Sequence, residues 1–126
     1  MSDTPRMQLW GVVLDSPDAN ELAAFYQSLL GWPVEQDEPG WVKLTSPEGG
    51  SGLSFQTEPS YVRPVWPAGP GEPQMLVHLD FAVDDVAAAA AHAVSVGAVV
   101  ATHQPQDDVL VLLDPAGHPF CLFLAS

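Results

Sequence analysis

The residues of this sequence best suited to chemistry lie in two short segments of its second half, HLD at 78–80 and PFCLF at 119–123. His78 can accept a proton or bind a metal, Asp80 adds a carboxylate, and Cys121 is the chain's single cysteine. Imidazole and thiolate are both zinc ligands, and a histidine beside a carboxylate suits general-base catalysis. A metal site and a general base are therefore the two chemistries that these residues indicate.

Each of these residues also has a purely structural interpretation. His78 can simply form hydrogen bonds in a half-buried cleft, and free cysteine is among the most buried residue types, so Cys121 can be a small apolar filler. The sequence supplies no cation or helix start that would lower the pKa of the thiol. It therefore favours a filler over a nucleophile for Cys121, and we favour hydrogen bonding over metal ligation for His78.

A second group of candidates offers flat apolar surface for a small molecule. Residues 58–74 hold five of the 13 prolines and lack any helical or strand period, which is typical of a connector or a lid. This segment contains Tyr61, Trp66 and Arg63, and Trp41 lies in a strand-like segment before it. We expect these side chains to border a concave binding site. For Trp66, an equally favoured alternative is that its side chain closes one end of the core.

Composition narrows the classes of partner. The 126 residues include 16 acidic and three basic side chains, and the resulting net charge of −13 disfavours nucleic acid and anionic membranes as partners. A hydrophobic fraction of 47% without one long apolar run predicts a globular protein. The single cysteine and an N-terminus without the layout of a secretion signal lead us to expect a reducing, cytoplasmic location.

The elements that would position these residues follow one order twice: a strand, a helix and three strands. In the first half, a strand at 8–15 precedes a helix that begins at Asp18 and ends at Gly31. The remaining strands of that half are expected at 33–36, 40–46 and 52–57. In the second half we expect a strand at 75–83, a helix at 84–97, and strands at 98–103, 108–113 and 119–124.

This repeat predicts a single domain, residues 1–126. Its two modules are residues 8–57 and 75–125, and the connector between them is residues 58–74. Asp18 lies 13 residues before Gly31, and Asp85 lies 12 residues before Gly97, so the halves match within one residue. Because neither half could bury both its helix and its sheet face alone, we expect the modules to pack as a pair.

Side-chain alternation predicts which candidates share a face of the sheet. In the fifth strand, His78 and Asp80 point away from the helix, and parity in the last strand places Cys121 on the same side. In the first module, the position that corresponds to Cys121 is Gln56. We therefore expect Gln56 to converge with His78 and Cys121 on one concave surface. Alternation in the first strand turns Trp10 toward the helix.

The chain resembles the vicinal oxygen chelate superfamily, in particular its glyoxalase-like and bleomycin-resistance-like members, in three segments: DANELAAFYQSLLGW, HLDFAVDD and DPAGHPFCLF. The resemblance covers residues 8–125 and implies an α+β fold in which two βαβββ modules form a curved, cup-shaped mixed sheet with helices outside. It also implies a homodimer and a divalent metal held in the cup by the first, fourth, fifth and eighth strands. His78 matches the family at these positions, whereas Gly11, Gln56 and Cys121 do not.

Three functions follow. The first is binding of a small organic molecule without the family's full metal site, with these candidate residues: Trp41, Gln56, Tyr61, Arg63, Trp66, His78, Asp80 and Cys121. The second is a metal-dependent lyase, isomerase, dioxygenase or thiol transferase, in which His78, Gln56 and Cys121 hold Zn, Mn, Ni, Co or Fe. The third is metal-free catalysis with His78 as the base beside Asp80. The sequence predicts no cofactor firmly.

Overall fold

The computed structural model describes residues 4–125 and contains two βαβββ modules, which confirms the predicted α+β fold. The elements of the first module are β1 Gly11–Ser16, α1 Ala19–Leu30, β2 Val34–Glu38, β3 Trp41–Leu44 and β4 Gly52–Thr57. Those of the second are β5 Leu79–Val83, α2 Val86–Ser95, β6 Val99–Val100, β7 Val109–Leu113 and β8 Pro119–Leu124. The largest differences from the prediction are the later start of β5 and the shortness of β6.

Each module forms its own four-stranded mixed sheet, in the order β1-β4-β3-β2 or β5-β8-β7-β6. The first and last strands of a module pair in parallel, and the other neighbours are antiparallel. The last strand of each module therefore lies inside its sheet. As a result, Cys121 of β8 has Asp80 as its partner on one side and Val111 on the other.

The helices begin at the predicted caps. The Asp18 side chain accepts hydrogen bonds from the backbone N–H groups of Asn20 and Glu21, and Asp85 accepts one from the N–H of Ala88. Gly31 closes α1 with a φ of 69°, a left-handed conformation that glycine adopts without a Cβ clash. Local capping chemistry thus fixes where the apolar face of α1 starts and stops.

The aromatic part of the core joins the two modules. The ring of Tyr26 on α1 stacks on Phe55 of β4 with centroids 5.4 Å apart, and it meets Phe120 of β8 edge-on at 6.3 Å. Phe25 and Phe81 also pack against Phe120, at 6.2 and 6.0 Å. Because Phe120 is fully buried in this cluster, its neighbour Cys121 must point to the opposite face of β8.

The expectation that Trp10 packs beneath the helix is wrong. Trp10 precedes β1, is 69% exposed, and covers the Lys43 ammonium with its ring centroid 4.0 Å away. Lys43 Nζ also lies 3.4 Å from Glu35, so this buried cation has both a carboxylate and an aromatic face as neighbours. Strand alternation applies from Gly11 onward and does not extend to Trp10.

Residues 58–78 connect the two sheets without forming helix or strand. The Tyr61 hydroxyl donates to the Ala116 carbonyl at 2.8 Å, and Arg63 donates to the Pro115 carbonyl at 3.0 Å. These bonds attach the connector to the turn between β7 and β8. Within residues 4–125, the structure contains no helix with the length and apolar character needed to cross a membrane.

Candidate functional site

A cavity of about 250 Å³ opens on the face of the second sheet that is turned away from the aromatic core. Its walls come from the connector, from β5, β7 and β8, and from the loop before β7. The apolar part of this lining includes Trp66, Met75, Val109, Val111, Pro119 and Phe123. The polar part consists of Gln106 and three side chains that sequence analysis had selected, His78, Asp80 and Cys121.

The sheet register brings these three selected side chains together. Parallel pairing of β5 with β8 makes Asp80 and Cys121 direct neighbours, and His78 Nε2 lies 3.1 Å from Asp80 Oδ1. One potential ligand atom from each of the three residues lies within 4.8 Å of the others. We call this set the His–Asp–Cys group.

The cavity has an apolar floor and a polar mouth. Cys121 is buried in a small cluster with Ala101 and Val111, whereas the side chains of His78 and Asp80 are 40% and 58% exposed. Trp66 forms a side wall that is held in place, because its indole N–H donates to the His103 carbonyl at 3.2 Å. A molecule that entered would meet polar atoms first and apolar surface beneath them.

The surroundings of Cys121 keep its sulfur protonated. Burial raises the pKa of the Cys121 thiol, and the Asp80 carboxylate raises it further through its charge and by accepting a hydrogen bond from the thiol. A raised pKa is the opposite of what a nucleophilic cysteine needs. In the absence of a metal, the group is therefore a neutral thiol beside a carboxylate.

This electrostatic arrangement predicts slow alkylation of Cys121 by iodoacetamide at neutral pH. Because only the thiolate reacts, the rate should rise toward its plateau at a higher pH than for a free cysteine, which has a pKa near 8.5. The same shift stabilises the folded state below the pKa of the unfolded thiol, and that stabilisation is lost as the pH rises through the raised value. Intact-mass kinetics across a pH series measure the pH midpoint of the alkylation rate. A midpoint for the folded chain at or below that of the urea-unfolded chain would contradict the raised pKa of Cys121.

Two of the candidate ligand-binding residues lie in the first sheet. Gln56 of β4 donates its amide to Asp15 at 2.7 Å, and Trp41 of β3 donates its indole N–H to Gln36 at 3.2 Å. The structure thus groups His78 and Cys121 with Asp80, while Gln56 is bonded within its own module. The approach of β1 to β4 also explains Gly11, since a Cβ there would come within 3.1 Å of the Gly52 carbonyl oxygen.

Two further candidates, Tyr61 and Arg63 of the connector, contact the turn that follows β7. Their hydrogen bonds to the turn carbonyls place them beside a separate cavity that Asp18 also lines. Burial and the negative charge of Asp114 raise the pKa of Tyr61 to about 12, so its hydroxyl stays protonated and remains a donor. In this position, both residues hold the connector that carries Trp66.

Sequence reasoning missed several residues that line the cavity. Gln106 lies in a segment without a periodic signal, and Met75 lies in the connector instead of the strand predicted at 75–83, so only the long-range packing brings them to the cavity. Val109 and Val111 had a usable signal, because alternate residues of β7 share one face and this strand pairs with β8. Strand pairing was the missing information, since Val111 is the direct partner of Cys121.

Comparison with known proteins agrees with this geometry. A family model described as a glyoxalase-like domain matches residues 11–123, nearly the whole chain. The chain belongs to the glyoxalase-like family. It is thus a member of the vicinal oxygen chelate superfamily, as the sequence predicts, and the matched residues of this glyoxalase-like protein contain both sheets except for Leu124 at the end of β8.

Solved structures share the fold of this glyoxalase-like protein at low sequence identity. A glyoxalase/bleomycin resistance protein/dioxygenase family enzyme from Burkholderia phytofirmans superposes with a TM-score of 0.72 at 21% identity, covering 92% of this chain and 97% of that one. A protein from Agrobacterium tumefaciens gives 0.69 at 19% identity, with coverage of 95% and 99%. A hypothetical protein from S. aureus gives 0.68 at 15%, with coverage of 96% for both chains. No curated protein matches the sequence significantly.

Proposed function

We propose that this glyoxalase-like protein binds a small, largely apolar organic molecule in the cavity above Cys121. The observation that supports this most is a concave space of about 250 Å³ that combines apolar walls with one polar group at its mouth. Small-molecule sites commonly have this composition, because apolar walls supply binding free energy and a few polar atoms fix the orientation.

The positions of the side chains indicate how a ligand would lie. Trp66 presents a flat face whose orientation is already fixed by its hydrogen bond to His103, so little side-chain entropy is lost on binding. The protonated thiol of Cys121 is a small and weakly polar floor. The apolar end of a ligand is therefore expected at Cys121, and its polar end at His78 and Asp80.

Nuclear magnetic resonance of the indole N–H groups tests this proposal with built-in controls. The chain has four tryptophans, of which Trp66 lines the cavity and Trp41 lies in the other sheet. Titration with benzyl alcohol should shift the Trp66 signal in a saturable manner and leave the Trp41 signal in place. A Trp66→Phe variant assigns the signal, and a Trp66 signal that stays unmoved up to the solubility limit of benzyl alcohol, and equally with benzylamine, would refute the proposal.

A second candidate function, metal binding at the same place, is favoured by the donor geometry of the His–Asp–Cys group. Zinc has ligand bonds of about 2.0–2.3 Å, which places tetrahedral donors roughly 3.3–3.8 Å apart. A nitrogen, an oxygen and a sulfur within 4.8 Å of one another fit that requirement after small side-chain adjustments. Bound zinc would supply Lewis acidity with a fourth position open to water or a ligand. Asp80, rather than Gln56, completes this donor set.

Metal analysis of untagged protein purified without chelators tests the second candidate. If this second candidate is right, the wild type carries about one zinc per chain and His78→Ala and Cys121→Ala carry less than a tenth of that, because three protein ligands are the usual minimum for a tight site. Gln56→Ala is the matched control and should keep its metal. Wild-type protein that stays metal-free after incubation with zinc and gel filtration would exclude this candidate.

A further inference from the structure

The charges around the cavity are one-sided. Of the residues that line it, Asp80 has the only carboxylate, and neither lysine nor arginine contributes to its walls. Two of the chain's three basic residues are engaged elsewhere, since Lys43 pairs with Glu35 and Arg63 donates to the Pro115 carbonyl. Among the residues that the structure describes, no lysine or arginine therefore lines the cavity beside this carboxylate, and its basic neighbour is His78.

Neither of the two side chains that contact Asp80 carries a permanent positive charge. Cys121 donates a neutral thiol hydrogen bond, and a neutral imidazole of His78 can donate its Nε2–H to Oδ1 at 3.1 Å. Such bonds hold the carboxylate in one orientation without cancelling its charge. A ligand that enters the mouth would meet a positioned full negative charge, 58% of whose side-chain surface is open to water.

Filling the cavity would remove that water, and the consequence depends on the ligand's own charge. A neutral ligand that covers Asp80 can replace the lost hydration of the carboxylate with a hydrogen bond at most, and an anionic ligand adds repulsion. A cationic ligand replaces the lost hydration with an ion pair, and its charge can also interact with the face of Trp66. The net charge of −13 raises the local concentration of cations in the same direction.

We infer that the ligand of this cavity is a protonated primary or secondary amine on a flat apolar body. The ammonium would donate to Asp80 at the mouth, and the apolar body would lie between Trp66 and Phe123, above Cys121. This inference rests on the proposed function and adds a ligand class to it. It selects amines over alcohols and carboxylates of the same shape.

Three compounds of one shape test the inference: benzylamine, benzyl alcohol and benzoate. Dissociation constants are measured for each from the Trp66 indole signal, with the wild type, Asp80→Asn and Asp107→Asn. Asp107→Asn is the matched control, because it removes the same charge from an exposed position in the neighbouring loop. We expect the wild type to bind benzylamine on the order of tenfold more tightly than benzyl alcohol, with benzoate weakest. Asp80→Asn should remove this preference, and Asp107→Asn should keep it.

The outcomes separate the inference from the function on which it rests. If benzyl alcohol binds as tightly as benzylamine, the cavity is a small-molecule site and the inferred ligand class is wrong. If the amine preference survives in Asp80→Asn, the general negative field causes it and the assigned role of Asp80 is wrong. If none of the three compounds moves the Trp66 signal, both the inference and the proposed function fail.

Discussion

Replacement of Asp114 by alanine is expected to lower the free energy of unfolding by about 3–5 kcal/mol, the range typical of breaking a buried charged network. The Asp114 side chain is completely buried and accepts four hydrogen bonds, from the Tyr26 hydroxyl, the His118 ring and the backbone N–H groups of Ala116 and His118. Alanine would leave these donors without an acceptor in a dry environment. Urea denaturation followed by circular dichroism measures the change.

The matched control for this substitution is Asp108→Ala, an exposed aspartate before β7 that should change stability by less than about 0.5 kcal/mol. Asp114→Asn should be intermediate, because its amide oxygen can still accept some of the hydrogen bonds. A loss below about 1 kcal/mol for Asp114→Ala would contradict the role assigned to this network. The network matters for the site because its turn joins β7 to β8 and anchors the connector through Tyr61.

Replacement of Trp66 by alanine is expected to weaken the binding of benzylamine by about 10- to 100-fold, the usual effect of deleting an aromatic anchor. The substitution removes a wall of the cavity and the aromatic face available to the ammonium. Trp66→Phe should cost less, because it keeps part of the apolar area. Since Trp66 is the reporter in the resonance assay, isothermal titration calorimetry measures the affinities.

Trp41→Ala is the matched control for Trp66→Ala, because it deletes the same side chain from the first sheet. We expect unchanged affinity for benzylamine in this variant, provided that circular dichroism shows an intact fold. Equal losses of affinity in the two variants would mean that the compound binds outside the cavity or that both variants disturb the fold.

Much of the fold could be predicted from the sequence because its signals are local. Asp18 and Gly31 mark the ends of α1 through capping chemistry that involves only a few neighbouring residues. Alternation in β5 and β8 similarly places the side chains of Asp80 and Cys121 on one face. Such rules operate within one element and need no knowledge of tertiary structure.

The composition of the candidate site was harder to predict because it depends on pairing between elements. Two residues along a strand lie roughly 6.6 Å apart. On this spacing, Asp80 is a neighbour of His78 and not one of the predicted metal ligands. The parallel pairing with β8 places Asp80 directly beside Cys121, where it joins both residues. The repeat predicts that Gln56 occupies the position equivalent to Cys121. It does not predict the hydrogen bond to Asp15 that holds the Gln56 side chain within its own module.

Residues of the connector show the same limit. The composition of 58–74 indicates the absence of regular structure, but its prolines do not reveal which surface the segment contacts. Tyr61 and Arg63 bond to carbonyl groups more than 50 residues away, and Trp66 bonds to His103. One aromatic residue of the segment therefore reaches the cavity while the other anchors a turn.

Protection of Cys121 from alkylation is the most direct test of the central claim that this cavity is a small-molecule site. The chain's single cysteine lies on the cavity floor, so its modification by iodoacetamide, followed by intact mass, reports whether the cavity is filled. A Cys121→Ala/Glu48→Cys variant, with its thiol in an exposed turn, controls for effects on the reagent. We predict that saturating benzylamine slows modification of Cys121 at least several-fold and leaves the control unchanged. Equal rates with and without both benzylamine and benzyl alcohol would contradict the claim.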